Sequence, residues 1–286
     1  MKVGEVYQHI IDSLKTKYEI REAKNISQML IERLTGFSNT ERLIYKNDVL
    51  NGESTRQLNH FMLQLLNDRP IQYVLGEAWF CGLKLLVNES VLIPRPETEE
   101  LVEWIIGKNK NGTFDNAGIL DIGTGSGCIA IALKNKLPDI PVSALDYQAE
   151  IIELAKMNAD RCQTQIHFMQ KNILNVKNLQ SLPVYDILVS NPPYVLKNEM
   201  NAMEKRVWGN EPHEALFVPN EDPLIFYKNI VDFSEKHLKK EGQIFFEINP
   251  EQAPDLKALL EEKGFGEIIL KKDMRGCIRM MNALKK

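Results

Sequence analysis

One tetrapeptide in this 286-residue chain, Asn191-Pro192-Pro193-Tyr194, has the composition of a site that could grip a planar NH₂ group. The Asn191 side-chain oxygen and the Pro192 carbonyl can each accept one proton of such a group and thereby direct the nitrogen lone pair. Because proline has a fixed φ and no amide proton, the two prolines should stiffen this arrangement. Tyr194 would pack against the planar group. We predict Asn191, Pro192 and Tyr194 as catalytic residues, and all four as substrate-binding.

A second group, Asp121-Ile122-Gly123-Thr124-Gly125-Ser126-Gly127, lies at a predicted strand-to-helix turn. Its glycines permit positive φ and a close approach of the backbone to a ligand, as in turns that bind NAD, FAD or S-adenosylmethionine. The spacing is G-x-G-x-G, and Cys128 stands where a dinucleotide-binding turn has its last glycine. This spacing favours S-adenosylmethionine. The predicted cofactor-binding residues are Asp121, Gly123, Thr124, Gly125, Ser126 and Gly127.

Asp146 ends the next predicted strand, 23 positions after Gly123. A carboxylate in that place can accept both hydroxyl protons of a nucleoside ribose. We therefore predict Asp146 as a further cofactor ligand. The structural alternative is a plain glycine turn followed by a solvent-facing carboxylate.

The chemistry expected at the tetrapeptide is transfer to nitrogen. An amide or exocyclic amine nitrogen is a poor nucleophile because its lone pair is delocalised, so the site must orient it. No strong general base is needed, since the nitrogen becomes acidic once it is methylated. Positioning of this kind contributes up to about 7–11 kcal/mol in favourable cases. The structural alternative is a rigid Pro-Pro turn that closes a strand.

The segment before Pro70 is predicted to form a small helical bundle. All 13 prolines fall at or after Pro70, and apolar residues before it recur every three or four positions, which is the helix period. Residues 1–69 carry ten Lys or Arg against nine Asp or Glu, a net charge of +1, which favours protein docking over nucleic-acid binding. A simple cover for the rest of the chain is the alternative. The four expected helices are marked by Val3, Tyr7, Ile10 and Leu14; by Ile26, Leu30, Leu34 and Gly36; by Ser38 to Thr40; and by Leu58, Phe61, Met62 and Leu65.

After residue 70 the pattern predicts an α/β fold. Residues 71–93 mix β-branched and aromatic residues with turn candidates, which indicates a β-hairpin linker. A helix is expected from Glu97, then a polar turn over 108–118, and then alternating strands and helices, as in a parallel sheet covered on both faces. The predicted domains are 1–70, helical; 71–93, linker; and 94–286, catalytic. Seven strands are predicted, at 118–123, 141–146, 165–170, 185–191, 242–248, 266–273 and 277–284, with helices over 127–136, 148–160, 222–240 and 251–263.

Composition excludes several classes of protein. The chain is 44% hydrophobic and 26% charged, as in an ordinary globular protein. Its four cysteines form no C-x-x-C pair and its five histidines are not paired, so we expect reduced thiols and no metal site. A net charge of −4 provides no global field to attract nucleic acid. With no apolar run of about 18 residues, and with Glu5 interrupting any signal-like start, we expect no membrane association and a cytoplasmic location.

With these residues in view, the chain resembles the N5-glutamine methyltransferases that modify peptide chain release factors. The resemblance covers nearly the whole length and rests on Pro70 to Gly76, Ile93 to Glu99, the glycine turn, Ser190 to Tyr194 and Glu211 to Leu216. It implies a helical N-terminal domain, a β-hairpin, and a seven-stranded, Rossmann-like methyltransferase domain whose last strand is antiparallel. The implied reaction moves a methyl group from S-adenosylmethionine to the side-chain nitrogen of the Gly-Gly-Gln glutamine, leaves S-adenosylhomocysteine and tunes translation termination.

The resemblance also implies further contacts. It adds Asn191 to the cofactor site, with Asn172 and Ile173 near the adenine. The family often has an acidic residue followed by an aromatic there, whereas this chain has Lys171-Asn172-Ile173-Leu174; Asn172 could still bond the adenine amine. The substrate amide is expected against Asn191 to Tyr194, with Arg95 to Glu99 nearby. Release factors are the expected protein partners.

Two alternatives remain open from the residues alone. An N6-adenine or N4-cytosine DNA methyltransferase would present the same NH₂ geometry to the tetrapeptide, but it must also flip a base out of the duplex. The acidic balance and the near-neutral helical segment argue against it. The other alternative is a regulator that binds S-adenosylmethionine without catalysis, which the intact tetrapeptide argues against.

Overall fold

The computed structural model describes residues 1–108, 118–202 and 205–286. The predicted polar turn over 108–118 lies almost entirely outside these ranges. The chain divides into two compact units, Met1–Gly76 with Lys205–Asn210, and Glu77–Glu204 with Glu211–Lys286. We refer to them as the helical unit and the sheet unit.

Twelve helices and eleven strands, numbered in chain order, make up the described ranges. The helices are α1 Val3–Leu14, α2 Ile20–Thr35, α3 Asn39–Ile44, α4 Gly52–Leu66, α5 Ile71–Leu75, α6 Pro96–Lys108, α7 Cys128–Lys136, α8 Ala149–Arg161, α9 Lys205–Trp208, α10 His213–Leu216, α11 Ile225–His237 and α12 Ala253–Glu262. The strands are β1 Glu77–Phe80, β2 Leu83–Leu86, β3 Ile119–Ile122, β4 Val142–Asp146, β5 His167–Gln170, β6 Tyr185–Ser190, β7 Val195–Leu196, β8 Phe217–Val218, β9 Leu238–Glu247, β10 Phe265–Lys272 and β11 Ile278–Lys285.

The four predicted N-terminal helices are confirmed as α1 to α4. Gly36 ends α2 with φ +78°, the left-handed conformation that glycine adopts without a Cβ penalty. Ser38 begins α3 with a capping box: its Oγ accepts from the Glu41 backbone N–H, and its own N–H donates to the Glu41 carboxylate at 2.9 Å. The apolar stripes of these helices meet in one core. That core includes Val3, Ile10, Leu14, Ile26, Leu30, Leu58, Met62 and Leu65.

A short segment from late in the sequence completes the helical unit. Helix α9 belongs to Lys205–Asn210, which clusters with the N-terminal helices. The Arg206 guanidinium pairs with Glu22 at 3.2 Å and lies 4.2 Å from the Tyr18 ring centroid, a cation–π distance. Composition and period give no sign of this long-range placement, so the sequence did not predict it.

The seven predicted strands of the sheet unit form one sheet in the order β10-β11-β9-β6-β3-β4-β5. Strands β9, β6, β3, β4 and β5 are parallel neighbours, while β11 pairs antiparallel with both β9 and β10. The antiparallel last strand implied by the family resemblance is therefore present. The alternation of strand and helix had predicted this doubly covered α/β sheet, and the prediction is confirmed.

Both faces of the sheet are buried because helices cover each of them, and successive strand residues point to opposite faces. On β6, Ile187 and Val189 belong to a core with α6 and α7, whereas Leu188 belongs to a second core with α11 and α12. All six residues of β6 are buried. This explains why the middle of the strand, Ile187-Leu188-Val189, is a continuous apolar run rather than an alternating one.

Some elements were not predicted from the sequence. Strands β7 and β8 have two residues each and form a small parallel pair, too short to show a period of two. Within residues 71–93, Ile71–Leu75 is helical and the hairpin comprises β1 and β2. The domain boundaries at 70 and 93 stay predictions.

We predict that Gly118→Ala destabilises the sheet unit by at least about 2 kcal/mol, because a left-handed Ala is strained and its Cβ would clash. Gly118 has φ +86°, and a Cβ there would lie 2.4 Å from the Pro141 carbonyl oxygen. Gly107→Ala on α6 is the control, since a Cβ there meets nothing within 4 Å. Chemical denaturation should separate the two variants, and equal stabilities would contradict this account of Gly118.

Candidate cofactor and substrate site

A pocket of the sheet unit lies where β3, β4 and β6 end. Strand β6 pairs in parallel with β3, so the glycine turn after β3 and the tetrapeptide after β6 leave the sheet at the same edge. Ten of the predicted residues line this pocket: Gly123, Thr124, Gly125, Ser126, Asp146, Asn172, Ile173, Asn191, Pro192 and Pro193. The other three, Asp121, Gly127 and Tyr194, are not among the lining residues.

The glycine turn is shaped to leave room for a ligand. Gly123 and Gly125 have φ of +74° and +53°, and a Cβ on either would meet nothing within 4 Å. Gly127 is different: its φ is +83°, but a Cβ there would come within 3.2 Å of the Ala155 Cβ. The first two glycines therefore keep the pocket wall open, whereas the third allows α7 and α8 to pack closely.

Asp121 supports the turn from behind. Its Oδ2 accepts from the Thr124 hydroxyl at 2.6 Å and from the Ala130 N–H at 3.3 Å. Its Oδ1 is buried without a hydrogen-bond partner in the protein. Burial raises the pKa of Asp121 to about 7, against the lowering effect of those two hydrogen bonds.

Asp146 is placed to receive two hydroxyl groups. Its Oδ2 accepts from the Gly125 N–H at 3.0 Å and its Oδ1 from the Tyr147 N–H at 2.8 Å. Each oxygen thus keeps a lone pair for a ligand. Burial raises the pKa of Asp146, and backbone hydrogen bonds from Gly125, Tyr147 and Gln148 oppose the rise.

The wall beyond Asp146 is largely apolar. Leu145, Ile151 and Ile173 line it together with Tyr147, which directly follows Asp146. The Asn172 Oδ1 already accepts from the Leu174 N–H at 2.8 Å, so Asn172 is held in a turn and offers a neighbouring ligand its remaining amide groups. Tyr147 was not predicted from the sequence, although its position after the predicted ribose ligand was a usable signal.

The tetrapeptide is held at both ends. The Asn191 Nδ2 donates to the Thr98 Oγ1 at 3.1 Å, and the Tyr194 hydroxyl donates to the Glu247 carboxylate at 2.9 Å. Gln252 donates from Nε2 to the Tyr194 carbonyl at 3.0 Å. Thr98 lies in the predicted Arg95 to Glu99 stretch, but Glu247 and Gln252 were missed, because nothing in strand β9 or the turn after it signals a contact with Tyr194.

A buried ion pair joins two further segments that line the pocket. Glu211, 4% exposed, accepts from the Arg95 guanidinium and from the Ile93 N–H at 3.2 Å. Arg95 and Pro94 line the pocket, as do Pro212 and Glu214. The two sequence motifs around Arg95 and Glu211 therefore form one wall.

The lining fits S-adenosylmethionine. The open glycine turn can admit the methionine portion, Asp146 the ribose and the apolar wall the adenine. Ser126, which lines the pocket, has an Oγ that is buried without a partner in the protein, so a hydroxyl remains for the polar end of the ligand. Over the described ranges, no group of three His, Cys, Asp or Glu side chains is arranged to hold a metal ion.

We predict that Asp146→Asn lowers the affinity for S-adenosylhomocysteine about 10- to 100-fold, since charge-assisted hydrogen bonds contribute roughly 1.5–3 kcal/mol each. The Asn side chain would also turn an NH₂ toward a backbone N–H. Isothermal titration calorimetry measures the affinity, and the exposed Asp139→Asn is the matched control. Unchanged affinity in Asp146→Asn would reject the ribose role.

We also predict that Asp121 makes the cofactor-free protein less stable as the pH rises. Because its folded pKa of about 7 lies above the ordinary value of 3.8, the folded state holds the extra proton, and the resulting stability is lost as pH rises toward and through 7. Asp121→Asn, which mimics the protonated acid, should show a smaller loss of unfolding free energy between pH 5 and pH 8. Asp139→Asn should keep the wild-type dependence, and an identical dependence in all three proteins would contradict the prediction.

Comparison with known proteins supports the assignment of the pocket to a methyltransferase. Residues 5–76 match the family model of the PrmC N-terminal domain, and residues 107–208 match the methyltransferase small domain. The chain resembles the solved "delta-N METTL16 MTase domain" with a TM-score of 0.52 and 19% identity, covering 82% of this chain and 96% of that one, which concerns the fold alone.

Two curated relatives carry the family assignment. The release factor glutamine methyltransferase of Flavobacterium psychrophilum is 40% identical over 272 residues, 95% of each chain. That of Bacteroides thetaiotaomicron is 37% identical over 281 residues, 98% of this chain and 99% of its own. The chain therefore belongs to the release factor glutamine methyltransferase family.

Proposed function

We propose that this protein is a protein-(glutamine-N5) methyltransferase that methylates the side-chain amide nitrogen of the Gly-Gly-Gln glutamine in peptide chain release factors. The observation that carries the proposal is the anchored tetrapeptide. The Asn191 NH₂ group donates a hydrogen bond to Thr98, which leaves the Asn191 Oδ1 able to accept a hydrogen bond from a ligand in the pocket. Family membership identifies the planar NH₂ as that of glutamine.

The cofactor of this family, S-adenosylmethionine, supplies an electrophilic methyl group and leaves as neutral S-adenosylhomocysteine. The protein's own residues hold the two reactants. Gly123, Gly125 and Asp146 would hold the cofactor. The Asn191 Oδ1 and the Pro192 carbonyl would each accept a hydrogen bond from one of the two amide N–H groups and so direct the nitrogen lone pair. The glutamine nitrogen gains the methyl group and releases one proton to solvent water, so the step balances without a further reactant.

Tyr194 has an anchoring role in this proposal. Its ring packs against the core around α11 and α12, and its hydroxyl donates to Glu247. Burial raises the pKa of Tyr194, and the nearby Glu247 charge adds to the rise, so the phenol stays neutral and is no candidate for a base. Its contribution is to hold Pro192 and Pro193 in place.

The helical unit is proposed to bind the release factor, as residues 1–70 were expected to do. Helix α3 has no buried residue, and Leu43, Ile44 and Val49 are 58%, 65% and 73% exposed. Exposed apolar side chains of this kind favour a protein partner.

We further propose that the enzyme works in the cytoplasm without binding nucleic acid. No helix in the described part of the chain combines the length and apolarity needed to cross a lipid bilayer.

The test is incubation with labelled cofactor and a purified release factor, beside the same factor with its loop glutamine replaced. We expect label on the unaltered factor alone, at the glutamine found by peptide mass mapping. Equal labelling of both factors would contradict the proposed substrate, and labelling of duplex DNA instead would favour the DNA methyltransferase alternative.

We predict that Asn191→Ala lowers the rate of methylation about 100- to 1000-fold, as is common when one oriented polar group is removed from an active site. Cofactor affinity should change far less. The exposed Asn198→Ala, seven positions away, is the matched control and should keep the wild-type rate. An Asn191→Ala enzyme with full rate would reject the role assigned to this side chain.

A further inference from the structure

Glu247 connects both ends of the tetrapeptide through one carboxylate. It ends β9, is 1% exposed, and accepts from the Thr98 hydroxyl at Oε2, at 2.6 Å, and from the Tyr194 hydroxyl at Oε1, at 2.9 Å. Thr98 in turn accepts from the Asn191 Nδ2 at 3.1 Å. The result is a continuous chain of hydrogen bonds from Asn191 through Thr98 and Glu247 to Tyr194.

The direction of this chain follows from its buried carboxylate. An ionised carboxylate can only accept hydrogen bonds, so the single Thr98 proton must point to Glu247. The Thr98 oxygen is then left with lone pairs toward Asn191. Asn191 must therefore turn its NH₂ to Thr98 and its Oδ1 away from Thr98. The two orientations of an asparagine amide are nearly equal in shape, so this hydrogen bond is what distinguishes them.

Three neighbours of Glu247 offset part of the cost of ionising it. Burial raises the pKa of Glu247 and is the largest effect, and Glu97 adds to the rise, whereas the hydrogen bonds from Thr98 and Tyr194 and the positive charge of Arg279 oppose it. The Tyr227 hydroxyl donates to the Glu247 backbone carbonyl at 2.9 Å, which fixes the end of β9. Hydrogen bonds from hydroxyl groups to an ionised carboxylate are charge-assisted and stronger than those between neutral groups.

We propose that Glu247 and Thr98 are positioning residues that set the orientation of the Asn191 amide, and that this orientation makes the pocket select a donor NH₂ over a carboxylate. The inference rests on the proposed function, because it concerns how the same site tells glutamine from glutamate. With Asn191 Oδ1 and the Pro192 carbonyl both acting as acceptors, a glutamate in the loop would bring its carboxylate oxygens against two further acceptors, which is unfavourable.

The first test compares Thr98→Val, which keeps the shape and removes the hydroxyl, with Thr98→Ser, which keeps the hydroxyl. We expect kcat for release-factor methylation to fall about 100-fold in Thr98→Val, the loss typical of a misplaced reactive group, and to stay near wild type in Thr98→Ser. Glu247→Gln should resemble Thr98→Val. The exposed Glu262→Gln on α12 is the control for the charge change.

The second test measures selectivity, which a purely structural role would not change. The quantity measured is the binding affinity, in the presence of S-adenosylhomocysteine, of a release factor whose loop glutamine is replaced by glutamate, beside that of the unaltered glutamine factor. Its affinity relative to the glutamine factor should rise at least about fivefold in Thr98→Val and Glu247→Gln, because Asn191 can then rotate and present its NH₂. In Thr98→Ser the ratio should equal that of the wild type.

The outcomes separate this proposal from the proposed function. Wild-type protein that fails to label the release factor would reject the function itself. An active wild type with full kcat and unchanged selectivity in Thr98→Val and Glu247→Gln would overturn the positioning role alone. Thermal unfolding and S-adenosylhomocysteine binding report whether each variant is folded, and Thr98→Ala replaces Thr98→Val if the latter does not fold.

Discussion

The parallel hydrogen bonding of β3 to β6 in the middle of the sheet is the constraint on which the site depends. Asp121 pairs with Val189 in this register, so the two strands end side by side. The Ser190 hydroxyl, at the end of β6, donates to the Ile122 carbonyl, at the end of β3, at 2.6 Å, although the two residues are 68 positions apart in the sequence. In the proposed function, a cofactor on one loop and a substrate amide on the other would thereby lie at one edge of a sheet that is buried on both faces.

Positioning, rather than acid–base chemistry, is what this arrangement provides. An amide nitrogen requires orientation of its lone pair, and the tetrapeptide to which we assign that role is restrained by two prolines, by Thr98, and by Glu247 and Gln252 at Tyr194. Each restraint removes conformational freedom before the substrate arrives, so less entropy is lost in the reactive complex. The rigid part of the site lies on strands and strand ends, where packing limits movement.

The site also costs stability, because it keeps three carboxyl groups out of water. Burial raises the pKa of Asp121, Asp146 and Glu247, which means that the folded protein holds the ionised forms less easily than the unfolded chain does. Each of these groups accepts hydrogen bonds that shape a loop: the glycine turn for Asp121 and Asp146, and the tetrapeptide for Glu247. The energetic cost of burial and the precision of the site therefore have the same origin.

The sequence by itself determined the longer elements and most of the site. Apolar periods of 3.6 and continuous buried runs predicted the longer helices and the seven strands of the large sheet. The glycine spacing, Asp146 and the tetrapeptide pointed to residues that line the pocket, because their chemistry is local. Only the tertiary structure decided which groups lie behind that lining. Asp121 beneath the turn, Tyr194 against the core, Glu247 on β9 and Arg206 in the helical unit all depend on contacts between distant parts of the chain, for which period and composition carry no signal.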